Sequence, residues 1–146
     1  MQGTVLALAK RPSKGASMVT CELLDLSTSG GVIGDHGTSL KRQVSFLDEA
    51  AWNHVCDTIG HDMPWTFRRS NILVQGIDLP TLIGTKVRLG TAVIEVLGEV
   101  TPCNQMEDVQ RGLKDALTPN LRGGVYGRVI KTGKVHNGAK ISPIKM

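Results

Sequence analysis

Aromatic side chains are nearly missing from this chain: Phe46, Trp52, Trp65, Phe67 and Tyr126 make up 3% of it. A core built by this sequence must therefore be packed from Val, Ile, Leu, Ala and Met. Cysteines are few, odd in number and widely separated, at Cys21, Cys56 and Cys103. They do not make a fully paired disulfide framework, so free thiols in a reducing compartment are expected. No apolar run approaches the roughly 20 residues that a membrane span requires. The start, Met1-Gln2-Gly3-Thr4-Val5, lacks the charged and then apolar pattern of a secretion signal. These absences predict a cytoplasmic protein.

Several chemical signatures are absent too. The glycine-rich stretch Ser27 to Gly37 carries no Lys and no G-x-G-x-x-G spacing, which excludes a Walker loop and a dinucleotide fingerprint. There is no G-x-S-x-G elbow. His36, His54, His61 and His136 show none of the short paired spacings of a structural zinc site. The basic C-terminal part holds only Tyr126 as an aromatic, so base-stacking platforms for nucleic acid are not provided.

What is present fits one folded unit. The length of 146 residues suits a single core, so a single domain over residues 1–146 is expected. Charge is uneven: from Arg111 onward there are eight Lys or Arg against the single acid Asp115, within a net charge of +4. That asymmetry suits a surface that attracts an anion, and it equally suits a solvated set of strand and turn cations.

Short strand-like runs dominate. Val5, Ala7 and Ala9 alternate before Lys10-Arg11-Pro12 stops a first strand, and Val19 to Leu26 reads as a second. Gln43 to Phe46 is a third. Asp48 is placed to cap a helix whose apolar stripe is Trp52, Val55, Cys56 and Ile59, with Leu47 stapling onto Trp52 and Gly60 as the stop. Ile72 to Val74 follows. Thr85 to Leu97 reads as a hairpin turned at Gly90-Thr91. A further helix is expected from Asn104, with Met106, Val109, Leu113 and Leu117 on one face. Gly123 to Ile130 and Lys140 to Ile144 would complete the sheet. Many short strands with a few inserted helices predict a mainly β, α+β fold, a barrel rather than a doubly wound sheet.

Cys103 has the most useful address. Pro102 cannot continue a central strand, so the chain should leave the sheet there. Asn104 could cap the next helix, with Glu107 reaching back, and the helix dipole would favour the Cys103 thiolate. The same position also suits an inert small residue at a strand end. Asp35 and His36, in Gly34-Asp35-His36-Gly37, could polarise a substrate or exchange protons, or could simply form a polar turn. Arg69 and Asn71 could hold a phosphate or carboxylate, or Arg69 could serve an ordinary salt bridge.

In order along the chain, Gly34-Asp35-His36-Gly37, Arg69-Ser70-Asn71-Ile72, Gly76-x-x-Leu79, Gly84, Gly90-x-Ala92, Pro102-Cys103 and Gly123-Gly124-Val125-Tyr126-Gly127-Arg128-Val129 resemble the MOSC family. That family is named for the C-terminal domain of molybdenum cofactor sulfurases, and the chain resembles a small stand-alone member. The resemblance implies a MOSC-type β-barrel and a single cysteine, here Cys103, that ligates molybdenum or carries sulfur. A soft thiolate suits a molybdenum already held by a sulfur-rich pterin. Arg69, Arg128 and Arg68 would neutralise the phosphate of molybdopterin, and Gly123 and Gly124 would let backbone approach the ligand.

Three functions follow from the resemblance. One is reduction of N-hydroxylated or N-oxygenated small molecules, with electrons from a separate electron-transfer protein. Another is a sulfur carrier holding a persulfide on Cys103, loaded by a cysteine desulfurase. The third is a non-catalytic module binding an anionic pterin, nucleotide or pyridoxal phosphate. The sequence shows no aminotransferase-like domain with a pyridoxal lysine, so covalent pyridoxal phosphate is not expected. It also shows no iron–sulfur cysteine cluster. Lys140-Ile141-Ser142 stands where many relatives carry a Gly-Asp pair.

Overall fold

The computed structural model describes residues 1–36 and 41–144; Gly37 of the Gly34-to-Gly37 motif lies outside them. Eleven strands are formed by the described residues: β1 Gly3–Lys10, β2 Val19–Cys21, β3 Leu23–Ser27, β4 Gly31–Val32, β5 Val44–Asp48, β6 Ile72–Gln75, β7 Lys86–Leu89, β8 Ala92–Glu99, β9 Val125–Lys131, β10 Gly133–His136 and β11 Lys140–Pro143. Seven of them close a barrel in the order β11, β7, β8, β9, β5, β6, β1, with β1 returning to β11. Strand β2 hangs on the edge of β1, and β10, β3 and β4 form a small second sheet. The expected mainly β barrel is what the chain builds.

Two strands differ from the expectation in an informative way. The Val19-to-Leu26 run splits at Glu22: β2 pairs with β1, while β3 pairs with β10 and β4. The run therefore serves two sheets. Cys21 ends on the edge strand, half-buried against the barrel core rather than inside it, and burial pushes its thiol pKa up while Lys10 pulls it back.

One barrel pair is parallel, β5 with β6, and it needs a crossover connection. Helix α1, Glu49–Ile59, provides it. The Asp48 carboxylate accepts from the Ala51 N–H at 3.2 Å, and Gly60 stops the helix at φ 101. Alternation along β5 and β6 then divides two cores. Phe46, Ile72 and Val74 point into the barrel, while Leu47 and Leu73 join Trp52, Val55 and Cys56 in an outer cluster. A parallel pair covered on both faces is the expected arrangement for such a strand pair. Trp52 donates its indole N–H to the Met63 carbonyl at 2.9 Å, so its polar edge is satisfied within the outer cluster.

The helix expected after Cys103 is two helices, α2 Asn104–Val109 and α3 Leu113–Leu117. Gly112, at φ 86, breaks the run, and Glu107 serves the second helix instead of the first. Its carboxylate accepts from the Gly112 N–H at 3.1 Å and the Lys114 N–H at 3.0 Å. The break turns Val109 away from the core, leaving it 38% exposed, while Met106, Leu113 and Leu117 stay buried. Among the described residues, no helix is long and apolar enough to cross a membrane.

Candidate functional site

Strand ends and loops at one rim of the barrel enclose a cavity of about 180 Å³. Arg11 comes from the end of β1, and Asp35 from the turn after β4. Arg42 precedes β5, Ser45 sits in it, and Arg68, Arg69 and Asn71 come from the segment leading into β6. Thr101 and Cys103 complete the wall where the chain leaves β8. Met18, Val44 and Met106 supply an apolar side.

Cys103 is exposed at the entrance to α2, in extended backbone at φ −122 and ψ 176. It occupies the capping position that the sequence reading gave to Asn104, and no side chain caps this helix. Asn104 instead accepts from the Lys114 ammonium at 2.9 Å. The segment before Cys103 is held tightly. Val100 donates its N–H to Gly124 O at 2.9 Å, and Pro102 is buried.

Arg68 is the buried cation of the site, only 6% exposed. Its Nε donates to Gly123 O at 3.1 Å and its Nη2 to Val100 O at 2.7 Å. Burial lowers its pKa to about 10, Cys103 and Glu99 act to raise it, and Arg42 opposes them. It remains fully charged at neutral pH. Arg69 follows the 3₁₀ turn Trp65–Arg68 and takes the left-handed conformation, φ 65 and ψ 29. For a residue with a side chain that geometry costs about 1–2 kcal/mol, the kind of strain that concentrates at working sites. It brings Arg69 to the cavity beside Arg68.

Asn71 lines the cavity, yet its amide is engaged inside the barrel wall, at 5% exposure. Its Oδ1 accepts from the Ser45 N–H at 3.1 Å and lies 3.1 Å from Ser45 Oγ, and its Nδ2 donates to Ala9 O at 3.2 Å. It thereby ties β1 and β5 to the start of β6. Asp35 accepts at Oδ1 from the Arg11 N–H at 2.7 Å, pinning the turn against the end of β1. Arg42 stacks over the Tyr126 ring, 5.0 Å from its centroid.

Of the residues singled out in the sequence, the cavity brings together Cys103, Asp35, Arg68, Arg69 and Asn71. His36, Arg128, Gly123 and Gly124 lie outside its lining. His36 is exposed, with its backbone N–H on Arg11 O at 2.7 Å. Arg128 projects from β9 and pairs with Glu95 at 2.8 Å. At Gly123 and Gly124, the space where a side chain would stand is filled by this chain's own atoms: Val100 O lies 2.6 Å from the first position and Phe46 O 2.1 Å from the second. Sequence reasoning missed Arg11, Arg42 and Ser45. Arg11 and Arg42 each flank a strand end, which was the available signal. No group of three or more His, Cys, Asp or Glu able to hold a metal ion is formed among the described residues.

The profile of the MOSC domain matches residues 33–142, so the chain belongs to the MOSC domain family. Solved structures of the same fold include the YUAD protein of Bacillus subtilis, with 22% identity and a TM-score of 0.83 over 97% of this chain and 94% of that one. YiiM from Escherichia coli has 18% identity and a TM-score of 0.76, over 100% of this chain and 71% of that one. YiiM from Geobacillus stearothermophilus has 14% identity and a TM-score of 0.78, over 98% and 75%. No curated protein sequence matches the chain significantly.

Proposed function

We propose that this chain binds a molybdenum cofactor at the rim cavity, with Cys103 as the protein ligand, and reduces N-oxygenated small molecules with electrons from a separate protein. The observation that carries the reading is one exposed thiol in a cavity walled by four guanidinium side chains, Arg11, Arg42, Arg68 and Arg69. The donor set fits the group. A soft thiolate completes a sulfur-rich molybdenum site, and a cationic wall matches a pterin phosphate. When bound, the cofactor supplies two-electron removal of oxygen from nitrogen, consuming two protons and releasing water.

This chain's residues do the rest. A cavity of about 180 Å³ is smaller than the roughly 300–1,000 Å³ that encloses a whole drug-sized ligand, so it receives one end of the ligand and leaves the remainder at the rim. Arg69 and Arg42 neutralise its anionic part. Asp35, held by Arg11, is the carboxyl placed to hold or move a proton at the cavity wall. Ser45 and Asn71 keep the wall rigid.

The test is metal content. Protein made in a host with molybdenum cofactor synthesis intact should carry molybdenum, and Cys103→Ala should lose it. Equal molybdenum in both would remove Cys103 as the ligand. The exposure of Cys103 also favours a second reading, a sulfur carrier that accepts the outer sulfur of a desulfurase persulfide and returns the desulfurase thiol. Mass spectrometry after incubation with desulfurase and cysteine would then show one added sulfur on Cys103, and no addition would exclude it.

A further inference from the structure

The segment that carries Cys103 has no regular structure between β8 and α2, yet it is anchored just before the thiol at Val100 and at the buried Pro102. Val100 is bonded on both sides, its N–H to Gly124 O and its carbonyl to Arg68 Nη2. A Cβ at Gly123 would meet Val100 O at 2.6 Å, Arg68 Nη2 at 3.0 Å and Pro102 Cδ at 3.4 Å, so these atoms fill the space that the glycine lacks a side chain to occupy. Arg68, Val100, Pro102 and Gly123 are therefore packed into one cluster, joined to Cys103 through Pro102, and Arg68 lines the same cavity as the thiol. The only cation in that cluster is Arg68, and two of its three guanidinium nitrogens are spent on backbone carbonyls from two different segments. Its Nη1 donates to no described residue, and the side chain lines the cavity. A planar fork can hold two carbonyls and still present a third face; a lysine ammonium is a point charge without that geometry.

We propose that Arg68 is the positioning residue of the cavity: through Gly123 O and Val100 O it fixes the segment bearing Cys103, and its remaining face makes the thiol's surroundings selective for anionic reactants. The inference rests on Cys103 being the working group, and it holds for either chemistry proposed above. Arg68 acts through its neighbours. The other charges facing the same space are Arg11, Arg42 and Arg69, with Asp35 as the opposing carboxylate. Glu99 also acts on the Arg68 charge. Arg68 differs from the other cations in being buried, where the same charge is screened least.

The experiment needs no metal. The full chain carrying Cys21→Ser leaves Cys103 as the accessible thiol, since Cys56 is buried. Alkylation of Cys103 by anionic iodoacetate and by neutral iodoacetamide is followed by mass spectrometry at one pH. The ratio of the two rates cancels the thiolate fraction and reads the electrostatic preference alone. Arg68→Ala should lower that ratio about fivefold or more, the scale of one charge at about 4 Å in a water-like dielectric, the cavity being open to solvent at its rim. Methylguanidinium added to Arg68→Ala should restore part of it. Amide exchange at Val100 should accelerate in the same variant while exchange at Ile72, across the barrel wall, stays unchanged.

An unchanged ratio in a folded Arg68→Ala would overturn the electrostatic half. Uniform acceleration of exchange at Val100 and Ile72 would overturn the positioning half. If Arg68→Ala fails to fold, Arg68→Lys decides: the ratio should be kept while Val100 exchange accelerates, and wild-type exchange there would refute the clamp. Loss of molybdenum in Cys103→Ala is measured separately, so failure of the cofactor reading leaves this result standing.

Discussion

Gly124→Ala separates two meanings of the glycine pair before β9. If the glycines exist so that a ligand can approach the backbone, an alanine should weaken binding and leave the fold intact. The geometry says otherwise at Gly124. Its φ is +94, which an L-residue adopts only with strain, about 1–2 kcal/mol by the left-handed penalty. An added Cβ would stand 2.1 Å from Phe46 O, on the strand that pairs with β9. A carbon and a backbone oxygen at that separation must move apart by about an ångström, and overpacking of this kind costs about 1–3 kcal/mol. The sum is about 2–5 kcal/mol. For a chain of this size each kcal/mol moves the midpoint by about 3–4 °C, so the expected fall is about 6–20 °C. Gly138→Ala is the control, since its φ is +85 and nothing lies within 4 Å of the added carbon. It should show the strain part alone, about 3–8 °C by the same conversion. Thermal unfolding followed by circular dichroism measures both. Gly124→Ala with a midpoint equal to that of wild type, or no lower than that of Gly138→Ala, would refute the steric reasoning.

Further outcomes are expected at Asp48, Asn71, Arg128 and Arg69. Asp48 caps α1 with a carboxyl whose pKa is raised above its ordinary 3.8 by burial and by Asp78, so ionising it costs the fold. Asp48→Asn keeps the cap and should gain stability relative to wild type as the pH rises from 3 to 6. Asp48→Ala should lose about 1 kcal/mol, and a wild type that gains on Asp48→Asn over that range would contradict the assignment. Asn71→Leu strips the bonds to Ser45 and Ala9 and should cost about 2–4 kcal/mol in urea unfolding, because buried partners are left unpaired. Arg128→Ala should change stability by less than about 1 kcal/mol, since its pair with Glu95 is exposed. It should also leave molybdenum content as in wild type, whereas Arg69→Ala should lower it; equal loss in both would return Arg128 to the site.

The barrel was legible because its signals are local. Alternation marks β1, the Gly90-Thr91 turn between two β-type runs marks β7 and β8, and the Asp48 cap and the Trp52 stripe mark α1. The split of Val19 to Leu26 was not legible, because both halves are strand-like and only their partners, β1 for one and β10 for the other, tell them apart. The division of the Asn104-to-Leu117 helix had a local cause, Gly112, masked by an apolar spacing that continues across it. Cys103, Asp35, Arg69 and Asn71 could be picked out from motifs and fall on one cavity. Arg11, Arg42 and Ser45 belong to no motif and reach the cavity only through tertiary pairing. The buried state of Arg68 was hidden for the same reason: nothing in Arg68-Arg69 says which guanidinium turns inward and which takes the left-handed bend.

The barrel is closed by its first and last described strands. Strand β1 meets β11 at two register positions, Gly3 opposite Ile141 and Thr4 opposite Lys140, Val5 adds backbone bonds to Gly138 and Ala139 just before β11, and the Lys140 ammonium reaches Thr4 Oγ1 across 136 residues of sequence at 3.1 Å. Such a seam carries a large loop-closure cost for few pairs, so it should form late in folding and open first under strain. The pairings that build the cavity run β1 to β6, β6 to β5, β5 to β9 and β9 to β8, and none of them crosses the seam. A barrel that gapes between β1 and β11 would thus bare two sheet edges, an aggregation hazard, while the Cys103 cavity on the far pairings stays assembled. Loss of solubility and loss of activity should consequently be separable faults in this molecule.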